Sequence, residues 1–262
     1  MQIGENKKYL LVLASYNDYR QKHFEMLHSP RNQKYCDYHG FEYIEVKDFN
    51  FLPASCKQRH VFWYRFFLIR HWINTGFLKE GNVISHLDAD VCIVNGSRSF
   101  EPSAGKSFAY AIDSCNTHCM GVFSLRITDW SKQMLSNLLS EDRWNKFKGN
   151  PFWQTFHDQA SWYSLAGIKD TFADPDQPGW NTIEHLGWNS TKKNDPVYSL
   201  KELYENVEIL PVEWGVTNWN QKNEYFRFPT KTNNRKDVIF RHFAGGSWHR
   251  DWAEVPIMFY ES

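Results

Sequence analysis

Apolar positions in this chain come in two rhythms. Short unbroken apolar runs alternate with longer stretches in which polar and apolar residues mix at helical spacing. The first run is Tyr9-Leu10-Leu11-Val12-Leu13-Ala14-Ser15. Continuous apolar character over so few residues predicts a strand buried on both faces of a parallel sheet. Residues 19–38 carry a mixed pattern that predicts a helix, stopped by Gly40. Phe41-Glu42-Tyr43-Ile44-Glu45-Val46 alternates and reads as a second strand. After a loop with Pro53, residues 60–75 are strongly apolar and aromatic, and their length favours a helix ended by Gly76 or Gly81. Strands follow at Val83-Ile84-Ser85-His86-Leu87, at residues 107–112 and at Gly121-Val122-Phe123-Ser124-Leu125. Thr128 or Asp129 caps a helix running to about Leu139, and residues 157–166 predict a shorter one. Residues 170–200 are rich in Pro, Gly, Asn and Asp and read as loop, with late strands at residues 207–210 and 238–242. Strands alternating with helices predict an α/β class with an open sheet.

The third strand runs directly into Asp88-Ala89-Asp90. Residues i and i+2 of a strand share a face, so the two carboxylates are expected to point the same way. At a strand's carboxyl end they face the crevice where open α/β sheets bind ligands. Two acids beside a buried strand are costly unless a cation meets them. Hard oxygen donors suit Mg²⁺ or Mn²⁺, which in turn hold phosphate oxygens. The plainer reading is a solvated turn pair. Arg241-His242-Phe243-Ala244-Gly245-Gly246 follows the last strand. His242 can give a nitrogen to the same metal, and Gly245 lets backbone N–H groups approach phosphate closely. A core or surface histidine beside a turn is the competing reading.

Three further constellations carry candidate chemistry. Asp158 and Gln159 stand at a predicted helix start, where Asp158 is either a cap or a group in the crevice holding a sugar hydroxyl or backing a reacting anomeric carbon. Arg65 is a cation within the aromatic helix: buried, it needs an anion such as a nucleotide phosphate, and otherwise it lies on the wet face. Asn116-Thr117-His118-Cys119-Met120-Gly121 reads as a loop into a strand, with Gly121 permitting close backbone approach. Lys236, Arg241 and Arg250 are further cations near the late strand.

Composition narrows the class. The 262 residues suit one large α/β domain. Thirty basic and thirty acidic residues leave no net charge, which argues against nucleic acid as a bulk partner. The five cysteines form no CxxC pair and read as free thiols in a reducing compartment. The start of the chain lacks the apolar core of a signal peptide, and no run is long enough to cross a bilayer. The expectation is a cytoplasmic protein, free or peripheral to a membrane, unless an anchor has been trimmed. Twelve tryptophans suit sugar stacking as well as core packing, and Trp153, Trp214, Trp219 and Trp248 are candidates for an acceptor platform.

The order of these motifs resembles metal-dependent glycosyltransferases of the GT-A fold. It is most similar to the galactosyl/xylosyltransferase family, which includes yeast Golgi galactosyl- and mannosyltransferases and plant xyloglucan xylosyltransferases. The likeness is carried by Tyr35 with His39-Gly40-Phe41, by Trp63-Tyr64-Arg65-Phe66-Phe67-Leu68, and by His86-Leu87-Asp88-Ala89-Asp90. It continues through Gly121 to Arg126 with Trp130-Ser131, then Asp158-Gln159-Ala160, Leu210-Pro211 with Asn218-Trp219-Asn220, and His242-Phe243-Ala244-Gly245, covering roughly residues 8–248. The resemblance implies a Rossmann-like, mixed and mostly parallel sheet flanked by helices in one catalytic domain. Residues 1–95 would form its nucleotide-binding half and residues 96–262 its acceptor half. It implies Asp88, Asp90 and His242 as metal ligands, a UDP-sugar donor, a glycan or glycoconjugate acceptor and retention of anomeric configuration. The nucleoside would lie near Ala14, Ser15, Tyr16 and Asn17, with Ala89 also on the donor side, Arg65 assisting at the leaving diphosphate, and Asp158 and Gln159 at the transferring sugar. One departure is visible: the family has Asn-Thr-Gly before the sugar-pocket strand, whereas His118, Cys119 and Met120 here separate Thr117 from Gly121. The absence of a visible anchor suggests a bacterial or viral relative.

Two other classes compete. A sugar-1-phosphate nucleotidyltransferase uses a similar sheet, but its first loop is Gly- and Lys-rich, unlike Ser15-Tyr16-Asn17-Asp18-Tyr19-Arg20 here. A non-catalytic carbohydrate-binding module would bind sugar without metal or nucleotide.

Overall fold

The first apolar run forms β1 (Lys8–Leu13), with Leu10, Leu11 and Val12 fully buried. Each such side chain removed from water contributes about 1.5–3 kcal/mol. The computed structural model describes residues 6–14, 25, 28–112, 118–148, 151–168, 196–217 and 238–242. Ser15, Tyr16, Asn17, Gly245, Lys236, Arg250, Trp219, Trp248, the side chain of Trp153, residues 19–24 of the first predicted helix and most of the 170–200 stretch lie outside them.

Within them, α1 (Ser29–His39) ends at Gly40, whose φ of 70° is the left-handed turn that glycine adopts without strain. β2 (Phe41–Val46) follows, then the short α2 (Ala54–Lys57) and a 3₁₀ turn (Val61–Trp63) that opens α3 (Tyr64–Asn74). β3 (Val83–Asp88) and β4 (Val91–Ile93) are separated only by a turn at Ala89 and Asp90. β5 (Phe108–Ile112) and β6 (His118–Arg126) precede α4 (Asp129–Leu138), which Thr128 and Ser131 cap reciprocally. Then come α5 (Glu141–Phe147), α6 (Pro151–Ala166), α7 (Leu200–Asn206) and the strands β7 (Val207–Leu210), β8 (Val216–Thr217) and β9 (Phe240–His242).

Six strands form one sheet in the order β2-β1-β3-β6-β5-β7. β1 lies parallel to both β2 and β3, and β5 is parallel to β7. Only β6 runs against its neighbours β3 and β5. The α/β class and the mixed, mostly parallel sheet flanked by helices are therefore as expected. β4, β9 and β8 form a second, three-stranded sheet.

Strand alternation feeds two cores. Tyr9 and Leu11 pack with Trp63, Phe66 and Phe123, while Leu10 and Val12 pack with Tyr35, Phe100 and Phe240. Trp214 belongs to the second core: it is buried, stacked on Phe100 at 5.4 Å and edge-on to Phe240. That corrects its assignment to an acceptor platform, because its faces are already covered.

Two local expectations also change. Asp90 is not a strand residue; it sits in the turn after β3, so the two acids converge by a change of chain direction rather than by strand alternation. β6 begins at His118, so His118, Cys119 and Met120 are strand residues and not a loop.

Candidate metal and active site

The site is assembled where the two sheets meet. β3 delivers Asp88 at its last position, in register with Leu13 at the end of β1. The turn then presents Asp90 and hands the chain to β4, whose Val91 pairs with His242 of β9. Ligand atoms of Asp88, Asp90 and His242 thereby lie within 4.8 Å of one another, a grouping able to hold a metal ion. His242 Nε2 is 3.3 Å from Asp90 Oδ1. Both acid side chains keep 24 % of their surface exposed, so the cluster opens to solvent on one side while His242 is buried.

Gly121 closes the other side. A Cβ there would come within 2.5 Å of Asp88 Oδ2 and 3.0 Å of His242 Cε1. Glycine is required by this contact, since any larger residue would displace the carboxylate or the imidazole. The third strand of the cluster is irregular at this point. Tyr110 pairs with Phe123 and Ala111 with Cys119, leaving Met120, Gly121 and Val122 as a bulge against β5. Bulges of this kind re-aim side chains beside functional sites. Here the bulge places Cys119 Sγ 3.5 Å from His242 Nδ1.

Arg65, in the first turn of α3, is buried beneath the cluster. It donates through Nη1 to Asp88 and through Nη2 to Asp158 at 2.6 Å, and its Nη1 lies 3.1 Å from His86 Nε2. Its partners are therefore the protein's own carboxylates. Asp158 is buried in this pair. It is aimed inward by a kink in α6 at His157, whose φ of 47° and ψ of −117° interrupt the helix. The His157 ring stacks on His60 at 4.0 Å with an interplanar angle of 12°. Gln159 braces the bulge instead of facing it freely: its Oε1 accepts from Met120 N at 3.3 Å and its Nε2 donates to Tyr163 Oη at 2.6 Å.

The electrostatics divide the acids. Burial resists charge on Asp88, but Arg65 and then His86 outweigh it and hold the carboxyl well below the usual range. Burial dominates at Asp158 and raises it to about 6 despite Arg65. Arg65 itself resists burial because Asp158 and Asp88 hold its proton. Burial lowers His86 to about 4. Burial also opposes charge on His242, yet Asp90 and then Cys119 keep it well above the ordinary value.

Of the sequence-derived residues, Asp88, Asp90 and His242 come together, and Arg65 and Asp158 join them through Asp88. Ala14 and Ala89 are buried at the neighbouring strand ends. The sequence reading missed Cys119, His157 and His60. The two histidines left no signal, and Cys119 showed only as part of the spacing before Gly121. Cys36, Cys56 and Cys119 are buried free thiols. Among the described residues no helix is long and apolar enough to cross a membrane.

No protein-family model matches the chain, and no curated protein does either. Among solved structures, a glycosyltransferase involved in the glycosylation of the major capsid of PBCV-1 is similar over 92 % of this chain and 94 % of its own, with a TM-score of 0.52 and 12 % identity. The glycosyltransferase GlyE of Streptococcus pneumoniae TIGR4 covers 64 % of this chain and 45 % of its own, at a TM-score of 0.37 and 15 % identity. A Drosophila β-1,4-galactosyltransferase 7 mutant, solved with manganese, UDP-Gal and xylobiose, covers 77 % of this chain and 81 % of its own, at 0.33 and 12 %. The likeness to the PBCV-1 protein is one of fold: this chain carries a GT-A-type α/β fold.

Proposed function

We propose that the chain is a metal-dependent glycosyltransferase that moves a sugar from a nucleotide-sugar, a UDP-sugar by the motif resemblance, to a hydroxyl of a glycan or glycoconjugate. The observation that carries it is the convergence of Asp88, Asp90 and His242 at the carboxyl end of β3, the crevice position of an open α/β sheet. Those three residues would hold the ion. Two carboxylates and one imidazole suit Mn²⁺ or Mg²⁺ rather than a thiophilic metal. The fit is supported by Gly121, whose missing Cβ leaves room beside the ligand atoms. Charge supports it too. Above about pH 6, Arg65 is shared between two carboxylates, Asp88 and Asp158, which leaves negative charge for a cation to offset.

When bound, the ion would act as a Lewis acid toward the leaving diphosphate. The chain's own residues do the rest. Arg65 holds Asp88 and Asp158 in fixed relative positions. Asp158 lies beside the cluster, where its carboxylate would orient the transferring sugar or back the anomeric carbon. Gln159 keeps the β6 bulge against α6. Ala14, Ser15, Tyr16, Asn17, Ala89 and Gly245 would border the nucleotide, and residues 1–95 and 96–262 would supply the nucleotide and acceptor halves of one domain. Retention of configuration follows the motif resemblance: the acceptor would attack on the leaving-group face and pass its proton to the departing phosphate.

The test is a thermal-shift panel of UDP-, GDP- and CMP-sugars with and without Mn²⁺, followed by assay of nucleoside diphosphate release. Stabilisation by a UDP-sugar only with Mn²⁺, and loss of release in Asp88→Ala with unchanged metal-free melting, are expected. Full Mn²⁺-dependent turnover in Asp88→Ala overturns the proposal. Sugar binding indifferent to metal and nucleotide would indicate a binding module instead.

A further inference from the structure

The β6 bulge meets the metal cluster at one ring. His242 presents Nε2 to the cluster, 3.3 Å from Asp90 Oδ1, and Nδ1 to the opposite side, 3.5 Å from Cys119 Sγ. Both residues are buried, Cys119 at 6 % exposure and His242 at 7 %. An imidazole that gives the Nε2 lone pair to a cation carries its one remaining proton on Nδ1. That proton needs an acceptor in a site with little water. Histidines that bind metals use a carboxylate, a carbonyl or a water for this purpose, and the partner fixes both tautomer and ring plane.

The geometry points to Cys119 as the positioning residue that holds His242 with Nε2 toward the cation and Nδ1–H toward sulfur. Cys119 is not itself a ligand, because it meets the ring on the side away from Asp90. The three residues that separate Thr117 from Gly121 acquire a purpose in this way. The bulge that accommodates Met120, Gly121 and Val122 against β5 pairs Cys119 with Ala111 and sets its sulfur against the imidazole.

The inference rests on the metal-site reading, and its experiment separates the two. Mn²⁺ alone is titrated into the full chain, with free ion followed by electron paramagnetic resonance. The parent binds, and His242→Ala loses binding. Cys119→Ala raises the Kd by about 10- to 100-fold, the usual effect of removing such a partner. Cys119→Ser, which keeps an acceptor at the same place, stays near the parent. If His242→Ala loses binding but Cys119→Ala binds like the parent, the role of Cys119 falls and the metal site stands. If the parent binds no Mn²⁺, both fall. Metal-free melting of each variant shows whether it is folded. The parent alone supplies a second readout that needs no substitution: long-range ¹H–¹⁵N spectra of ¹⁵N-histidine-labelled protein with Zn²⁺ as a diamagnetic probe. Coordination of His242 through Nε2 with the proton on Nδ1 is expected; coordination through Nδ1 overturns the proposal.

Discussion

Arg65 shows how a single residue can hold a site together and be costly to lose. It is 4 % exposed and stands between Asp88 and Asp158, itself only 2 % exposed. Removing one partner of a buried ionic group leaves uncompensated charge and costs about 3–5 kcal/mol. Arg65→Met should therefore lower the unfolding free energy by about that amount, measured by urea titration. Adding Asp158→Leu to it should recover part of the loss, since one of the two stranded carboxylates is then gone and only Asp88 remains. An additive double variant would show that the two groups do not interact. Gly121 is the complementary case, a residue whose value is its lack of a side chain. In Gly121→Ala the new methyl would overlap Asp88 Oδ2 and press on His242. The overpacking should cost about 1–3 kcal/mol in the same titration, and Mn²⁺ binding should be lost with it. A Gly121→Ala protein that binds Mn²⁺ as the parent does would show that this contact relaxes at little cost.

At the scale of elements, the kink in α6 is what aims Asp158. The φ/ψ of His157 lie in a region that L side chains avoid, so the usual helix ranking should invert there. Glycine normally costs about 1 kcal/mol more than alanine inside a helix. Here His157→Gly should be more stable than His157→Ala by about 1 kcal/mol or more, because both lose the stack on His60 but only glycine relieves the strain. Chemical denaturation of the two variants side by side decides it, and alanine being the more stable would show that the kink is unstrained. The helix over residues 157–166 was legible, but no sequence feature announced the kink at its start, because histidine carries no mark of a positive φ. Regular elements were legible where hydrophobicity alone dictates them. The unbroken runs gave β1, β3 and β5, alternation gave β2, and Gly40 and the Thr128 cap marked helix ends. β6 was read too short because a bulge breaks the period of two on which strand reading depends. Asp88 and Asp90 were read as sharing a strand face, and their convergence held although the turn achieves it. Arg65 was legible as a cation set into an apolar helix, whereas its partners were not, since pairing across the sheet leaves no local trace. Trp214 was misjudged because a large ring that stacks on Phe100 in a core looks, in sequence, like one that stacks on a sugar.

For the whole molecule, the site joins segments that pair only through the fold, and buried histidines link that fold to pH. His118 is fully buried on β6, with Nδ1 2.8 Å from Tyr110 Oη, and burial lowers it to about 3. An unfolded chain takes up a proton on such a histidine near pH 6.5, which the folded chain refuses until about pH 3. The unfolded state binds more protons throughout that window, so stability falls as pH is lowered from 6.5 toward 3, by about 1.4 kcal/mol per pH unit for one full proton. His86, lowered to about 4 by burial, acts in the same direction. Asp158 acts in the opposite one: raised to about 6, it keeps a proton that the unfolded chain releases, and so adds stability as pH falls from about 6 to its unfolded value. The two histidines outnumber it, and the net result should be progressive loss of stability on acidification below pH 6.5. Replacing His118 with asparagine isolates one of these contributions, because the amide preserves a polar partner for Tyr110 but cannot titrate. His118→Asn should be the less stable protein at pH 7 and should lose less stability on acidification. Its unfolding free energy plotted between pH 4 and 6.5 should be shallower by about 1.4 kcal/mol per unit. Parallel curves for the two proteins would mean that His118 takes up its proton without unfolding the chain around it.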